Sequence, residues 1–101
     1  MTNRRSEPRF LAEQPVTVGS LDEPSAQIVN GTIIDFSASG MGVILPFAPT
    51  CGSRLRIEWS RGAVTAEVRN CRRLRPGVYR IGLAIRELIE RTGIDGQVGV
   101  A

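Results

Sequence analysis

The sequence predicts an all-β protein: a six-stranded antiparallel β-barrel with a flexible N-terminal arm and a short C-terminal helix. Three observations predict it. Short runs of alternating apolar and polar residues recur along the chain, as in "RLRIEWS" and "VYRIGLAI". Turn-forming Gly, Pro, Asp and Ser separate each run from the next. The chain has 101 residues, room for one domain and one core. Sequential antiparallel strands in so short a chain must curl to bury one face, and closure removes the exposed edges.

Residues 1–9 are polar and carry Pro8, which opposes helix, so they read as an extended arm. "LAEQPVTV" (11–18) alternates at Val16, Thr17 and Val18 and suits a strand. "GSLDEPSAQ" is loop. "IVNGTIIDF" (28–36) reads as strand, with Gly31 as a bulge or a point of close approach. "SASG" turns the chain into the strand "MGVIL", which Pro46 stops. In "RLRIEWS", Leu55, Ile57 and Trp59 share one face, and Arg54, Arg56 and Glu58 share the other. Arg61-Gly62 turns into "AVTAEVRNCRRLR", which alternates through Val64, Ala66 and Val68 and then becomes basic. Pro76-Gly77 is a strong turn signal. In the last run, Tyr79, Ile81, Leu83 and Ile85 share a face. "RELIERTG" (86–93) reads as a short helix ended by Gly93. The expected organisation is an arm at 1–9, a barrel domain at 10–92 and a loose tail at 93–101.

A hydrophobic content of 42% with 23% charged residues is that of a globular protein. No apolar run approaches the roughly 18 residues needed to cross a bilayer. The N-terminus shows no apolar stretch of a secretory signal, so the expected location is the cytoplasm. There is no histidine, which excludes Ser-His and Cys-His nucleophile pairs and a histidine base. The ten acidic residues are scattered, so no catalytic constellation is expected and the protein reads as a non-enzyme. Cys51 and Cys71 lack CxxC spacing, so no metal site is expected, and both read as small apolar side chains in a reducing compartment. No cofactor is implied. All 13 basic residues are arginine. Codon usage alone accounts for such a bias, but arginine's flat fork also pairs bidentately with phosphates and guanine edges.

Two stretches carry the functional signal. "RRSEPRF" (4–10) sets Arg4, Arg5 and Arg9 ahead of the first strand. "DFSASG" (35–40) is a turn in which Asp35 and Ser37, two apart, project to one side, while Gly40 lets the turn take φ > 0 and lets a ligand approach the backbone. Taken alone, that turn reads more readily as an Asx or Ser turn satisfying its own backbone. Together, an RxxxR (Arg5 to Arg9) and a DxSxxG (Asp35 to Gly40) in this order resemble the PilZ domain family, and "YRIGLAI" resembles that family's last barrel strand. The resemblance covers about residues 4–92. It implies a six-stranded split barrel that binds the bacterial second messenger cyclic di-GMP. Its ligand residues here would be Arg5, Arg9, Asp35, Ser37 and Gly40. In the family, an arginine just before RxxxR goes with an intercalated pair of messenger molecules, and Arg4 meets that condition.

The chemistry fits independently. One guanidinium donates two parallel hydrogen bonds to guanine O6 and N7. It also stacks on the purine face. A carboxylate suits the guanine N1 and N2 donors. An arm outside the core would order on the ligand and pass the signal to a downstream effector protein, which the sequence does not name. Two other readings remain: a PilZ relative that contacts a partner protein without the ligand, and a barrel that binds single-stranded nucleic acid along "RNCRRLR" (69–75). The second is disfavoured, because aromatics are only 5% of the chain, and Trp59 and Phe47 read as core or loop residues.

Overall fold

The computed structural model describes residues 10–89. They form six strands: β1 (Phe10–Ser20), β2 (Val29–Phe36), β3 (Gly40–Leu45), β4 (Arg54–Trp59), β5 (Gly62–Arg75) and β6 (Val78–Ile89). Every pairing is antiparallel, and the order β1-β2-β3-β6-β5-β4 is closed into a barrel by the ladder of β1 on β4, from Thr17↔Glu58 to Ser20↔Leu55. Strands thus fill 10–89 of the expected barrel span. The expected arm at 1–9 and tail at 93–101 lie outside the described residues.

Period-two alternation decides which side chains enter the barrel. Val16 and Val18 of β1, Ile33 of β2, and Met41, Val43 and Leu45 of β3 point inward. They meet Leu55 and Ile57 of β4, Val64, Ala66 and Val68 of β5, and Ile81 and Leu83 of β6. Trp59, Tyr79 and Ile85, expected on the same faces, pack against the edge of this cluster. Each fully buried Val, Leu or Ile stabilises the fold by about 1.5–3 kcal/mol.

Gly31 is a point of close approach. A Cβ there would stand 2.6 Å from Leu45 Cδ2 and 2.8 Å from the Ile44 carbonyl oxygen. The ladder irregularities of this region lie elsewhere, between Leu11 and Gln14 of β1 and between Ile33 and Asp35 of β2. Pro15 follows the first of them, where a missing N–H is tolerated. Pro76-Gly77 makes the β5–β6 turn, with Gly77 at φ 76°, the value a type II turn requires at that position.

The expected helix is not formed at its start. Residues 86–89 continue β6 instead, with Glu87, Leu88 and Ile89 paired to Thr65, Val64 and Ala63. The reason is the length of β5, whose 14 residues offer backbone partners beyond Ile85. A single short helix must nucleate without such partners. The remaining part of that stretch, 90–93, lies outside the described residues.

The β3–β4 loop is laced to β5. The Gly52 N–H donates to the Val68 carbonyl at 2.8 Å and the Val68 N–H to the Ser53 carbonyl at 2.9 Å. The Cys51 thiol donates to the Arg69 carbonyl at 3.5 Å and the Cys71 thiol to the Pro49 carbonyl at 3.2 Å. Cys71 packs on the core as a small apolar residue does, whereas Cys51 is exposed. Burial, and then the neighbouring Cys51, push the Cys71 thiol up from its ordinary value. Among the described residues no helix is long and apolar enough to cross a membrane.

Candidate ligand site on the outer wall

The register of β1 on β2 decides what lies near the DxSxxG turn. Phe10 pairs with Phe36 and Leu11 with Asp35. The two phenylalanine rings are tilted against each other with centroids 5.6 Å apart. Arg9 precedes Phe10 by one peptide bond, and Phe10 itself lies opposite Phe36, the residue after Asp35. Arg4, Arg5 and Arg9 themselves lie outside the described residues. Their tether is short: five residue steps separate Arg5 from Phe10, at most about 18 Å of extended chain.

The turn after β2 is tied to two strands. The Ser37 N–H donates to the Gly40 carbonyl at 2.8 Å, and the Ile85 N–H of β6 donates to the Ser39 carbonyl at 2.8 Å. Asp35 pairs with Gly42 and Ser37 faces Gly40, so Asp35 and Ser37 share a face. Both side chains are buried. The conformation expected of Gly40 is corrected here. Among the described residues the positive-φ glycines are Gly52 and Gly77, while Gly40 opens β3 in register with Ala84. The turn closes through backbone hydrogen bonds without a left-handed glycine.

Inward-facing Met41, Val43, Ile81 and Leu83 alternate with residues that face outward. Adjacent rows on the outer wall therefore read Gly40 beside Ala84 and Gly42 beside Gly82. Asp35 continues the second row on one side and Asn70 on the other. This is a floor almost without side chains. Arg80 spans it to Asp35, with a guanidinium nitrogen 2.8 Å from the carboxylate and the two side chains 32% and 13% exposed. A Cβ at Gly42 would come 3.0 Å from Asp35 Oδ1 and 3.2 Å from the Arg80 guanidinium. Glycine is what lets the ion pair close over β3. At Gly82 a Cβ would lie 2.7 Å from Asn70 Oδ1, so the Asn70 amide lies over that glycine.

Arg80, Gly42, Gly82 and Asn70 are residues of this floor that motif reading missed. The signal for three of them is the spacing itself: "GMG" and "RIGLA" put small or basic residues at every second position opposite the apolar face. The other arginines differ in what they touch. Arg54 pairs with Asp22 at 2.9 Å, Arg56 with Glu58 at 3.7 Å, and Arg69 with Glu67 at 4.0 Å. Arg86 also pairs with Glu67. The Arg54 backbone N–H and guanidinium hold the Asp22 carboxyl below its ordinary value, and Arg86 does the same for Glu67.

A cavity of ≈ 400 Å³ opens at the same end of the barrel. It is lined by Ile33, Phe36, Met41, Trp59, Ile85 and Leu88, with Ser37 and Arg61 also contributing. Its lining is nearly all apolar, in contrast to the polar Asp35, Arg80 and Asn70 of the outer floor. Among the described residues no group of three or more His, Cys, Asp or Glu side chains could hold a metal ion.

The architecture defines a class: a small closed barrel whose outer wall, rather than its interior, has been cleared for contact. The chain belongs to the PilZ domain family, whose PilZ domain it matches over residues 3–95. Among solved structures it is similar to the Bacillus subtilis inhibitor of motility (MotI/DgrA), with a TM-score of 0.63 over 86% of this chain and 19% sequence identity. The match spans 44% of that longer chain, and the likeness is one of fold. No curated protein matches the sequence significantly.

Proposed function

We propose that this protein is a receptor for cyclic di-GMP and no enzyme: it binds the messenger through RxxxR and DxSxxG and passes the signal to a downstream effector protein in the cytoplasm. The observation that supports this reading is the register Phe10↔Phe36 and Leu11↔Asp35, which sets Phe10, the residue that follows RxxxR in sequence, at the edge of the DxSxxG floor. Membership of the PilZ family supports the same ligand class. Arg5 and Arg9 clamp guanine and phosphate, Asp35 and Ser37 supply polar contacts at the edge of the floor, and Gly40 leaves it open. Arg4 adds the charge that lets the ligand enter as an intercalated pair, with four phosphates to hold. No cofactor takes part. Residues 1–9 order over the floor when the ligand binds and so present a new surface to the effector.

Calorimetric titration with cyclic di-GMP, beside GMP and single-stranded DNA, tests the reading. The expected result is micromolar or tighter affinity for cyclic di-GMP, about −8 kcal/mol or stronger. GMP, with one guanine and no ring of phosphodiesters, binds far more weakly, and the endpoint approaches two ligands per chain. Equal affinity for GMP, or tighter binding of the DNA, overturns the assignment. An endpoint of one removes only the role given to Arg4.

A further inference from the structure

We propose that Arg72 and Arg80, directly opposite each other on the outer faces of β5 and β6, form a phosphate-binding subsite of the same floor, with the Asn70 amide as its neutral donor. The inference rests on the ligand reading above and adds residues that neither sequence motif contains.

The register carries it. Asn70 pairs with Gly82, Cys71 with Ile81, Arg72 with Arg80 and Arg73 with Tyr79. Ile81 is fully buried and points inward, so Arg80 and its cross-strand partner Arg72 point outward, next to the row of Gly42, Gly82 and Asn70. The Cβ atoms of residues directly opposite on an antiparallel pair stand about 4.5–5.5 Å apart. The Arg80 guanidinium is drawn across β3, over Gly42, to Asp35. Arg72 has no ion pair among the described residues, so no carboxylate offsets its charge there. An anion seated over Gly82, between the strand that carries Arg72 and the Arg80 guanidinium over Gly42, offsets it. A phosphodiester suits the position because each fork offers parallel N–H donors to its oxygens. The bare backbone of Gly82 lets the phosphate come close, and Asn70, lying over that glycine, offers a further N–H.

The other arginines of β5 do not share this position. Arg69 is engaged by Glu67. Arg73, opposite Tyr79, faces the other way, and Arg75 pairs with Val78 at the turn. Arg72 is thus the basic residue of the "RNCRRLR" strand that faces the floor without a carboxylate partner among the described residues.

The test is titration of the full chain with cyclic di-GMP for wild type, Arg72→Gln, Arg72→Lys and the control Arg73→Gln, each at low and high salt. Loss of a charged fork on phosphate weakens binding of Arg72→Gln by about ten- to a hundredfold, and the loss persists at high salt. Arg72→Lys keeps the charge without the fork and falls between the two. Arg73→Gln acts only through long-range charge, and its effect shrinks at high salt. Thermal unfolding of ligand-free Arg72→Gln is unchanged, because Arg72 has no ion pair to lose among the described residues. Wild type that binds, with Arg72→Gln within about twofold of it or no weaker than Arg73→Gln at high salt, overturns the subsite and leaves the ligand reading standing. Wild type that fails to bind overturns both.

Discussion

β3 and β6 lie side by side, and their two faces follow opposite rules. Inward, Met41, Val43, Leu45, Ile81 and Leu83 fill the barrel with side chains of low exposure. Outward, at the alternate positions, stand Gly40, Gly42, Gly82 and Ala84, with Arg80 at the margin. Glycine within a strand costs roughly 0.5–1 kcal/mol relative to alanine, because it gives up more backbone freedom and packs nothing. The inner face cannot explain three such residues on one patch, since none of them points there. Gly42 is explained by the ion pair that crosses it, and Gly82 by the amide that lies on it. The same two strands therefore stabilise the fold with one face and keep contact surface clear with the other. The faces are separable by mutation.

The largest effect belongs to the inner face. Ile81 has no exposed surface, and Ile81→Ala leaves a cavity that the closed barrel collapses into poorly. Urea unfolding is expected to show a loss of about 2–5 kcal/mol. Any fall in affinity tracks the unfolded fraction. A variant of full stability that binds badly would break the division between the faces.

The arm supplies the converse. Arg5→Ala and Arg9→Ala each remove charge-assisted hydrogen bonds to the ligand, on the order of 1.5–3 kcal/mol of binding apiece. Both precede the barrel strands in sequence, so the melting temperature of the free protein is expected to stay within a degree or so of wild type. Two variants that bind like wild type would remove RxxxR from the site.

The inner face was legible because hydrophobic alternation reports it directly. Leu55, Ile57 and Trp59, or Val64, Ala66 and Val68, declare their face whatever the neighbouring strand does. Asp35 and Ser37 were legible as a turn motif, and the structure gives them a shared face. Asn70 was not legible, because cross-strand register decides what faces the floor, and register depends on bulges. Val68 pairs with Leu83, yet the next partner of Gly82 is Asn70 rather than Arg69. One extra residue in β5 turns an amide onto the glycine and sends Arg69 to Glu67. The end of β6 escaped for a related reason. "RELI" has helix-forming residues, but β5 offered it a ladder. Gly40 was read as a left-handed residue from its type alone, whereas the hydrogen bonds of the turn do not require one.

Asp35 joins the two faces, and its removal is of intermediate size. It is mostly buried and bonded to Arg80, which is a third exposed, so solvent already screens part of the attraction. Asp35→Ala should destabilise the free protein by on the order of 1–2 kcal/mol and weaken binding as well. A double-mutant cycle with Arg80→Ala measures the coupling. Zero coupling would mean that Arg80 holds its place over Gly42 without the carboxylate, and that Asp35 acts on the ligand alone.

The smallest effect concerns outer-wall charges at or beyond the margin of the floor. Asp22 accepts the Arg54 backbone N–H at 2.9 Å and the Arg54 guanidinium at 2.9 Å, and these hold its carboxyl below the ordinary 3.8. Glu67 accepts from Arg86 and is held below its ordinary 4.5 by that bond, then by the charges of Arg86 and Arg69. A carboxyl whose value falls on folding stabilises the native state above its unfolded value and loses that contribution as pH drops through the folded one. The melting temperature should therefore be flat above about pH 5 and decline below it as these pairs protonate. Both carboxylates sit in water, so their share of the decline is small and shrinks further in salt. Asp22→Asn and Glu67→Gln should each flatten the acid limb slightly and leave cyclic di-GMP affinity at neutral pH nearly unchanged. An acid limb that keeps its full slope in the double variant would place the sensitive carboxylate elsewhere. A marked loss of affinity in Glu67→Gln would extend the floor beyond Gly40 and Ala84, the row in which Glu67 stands.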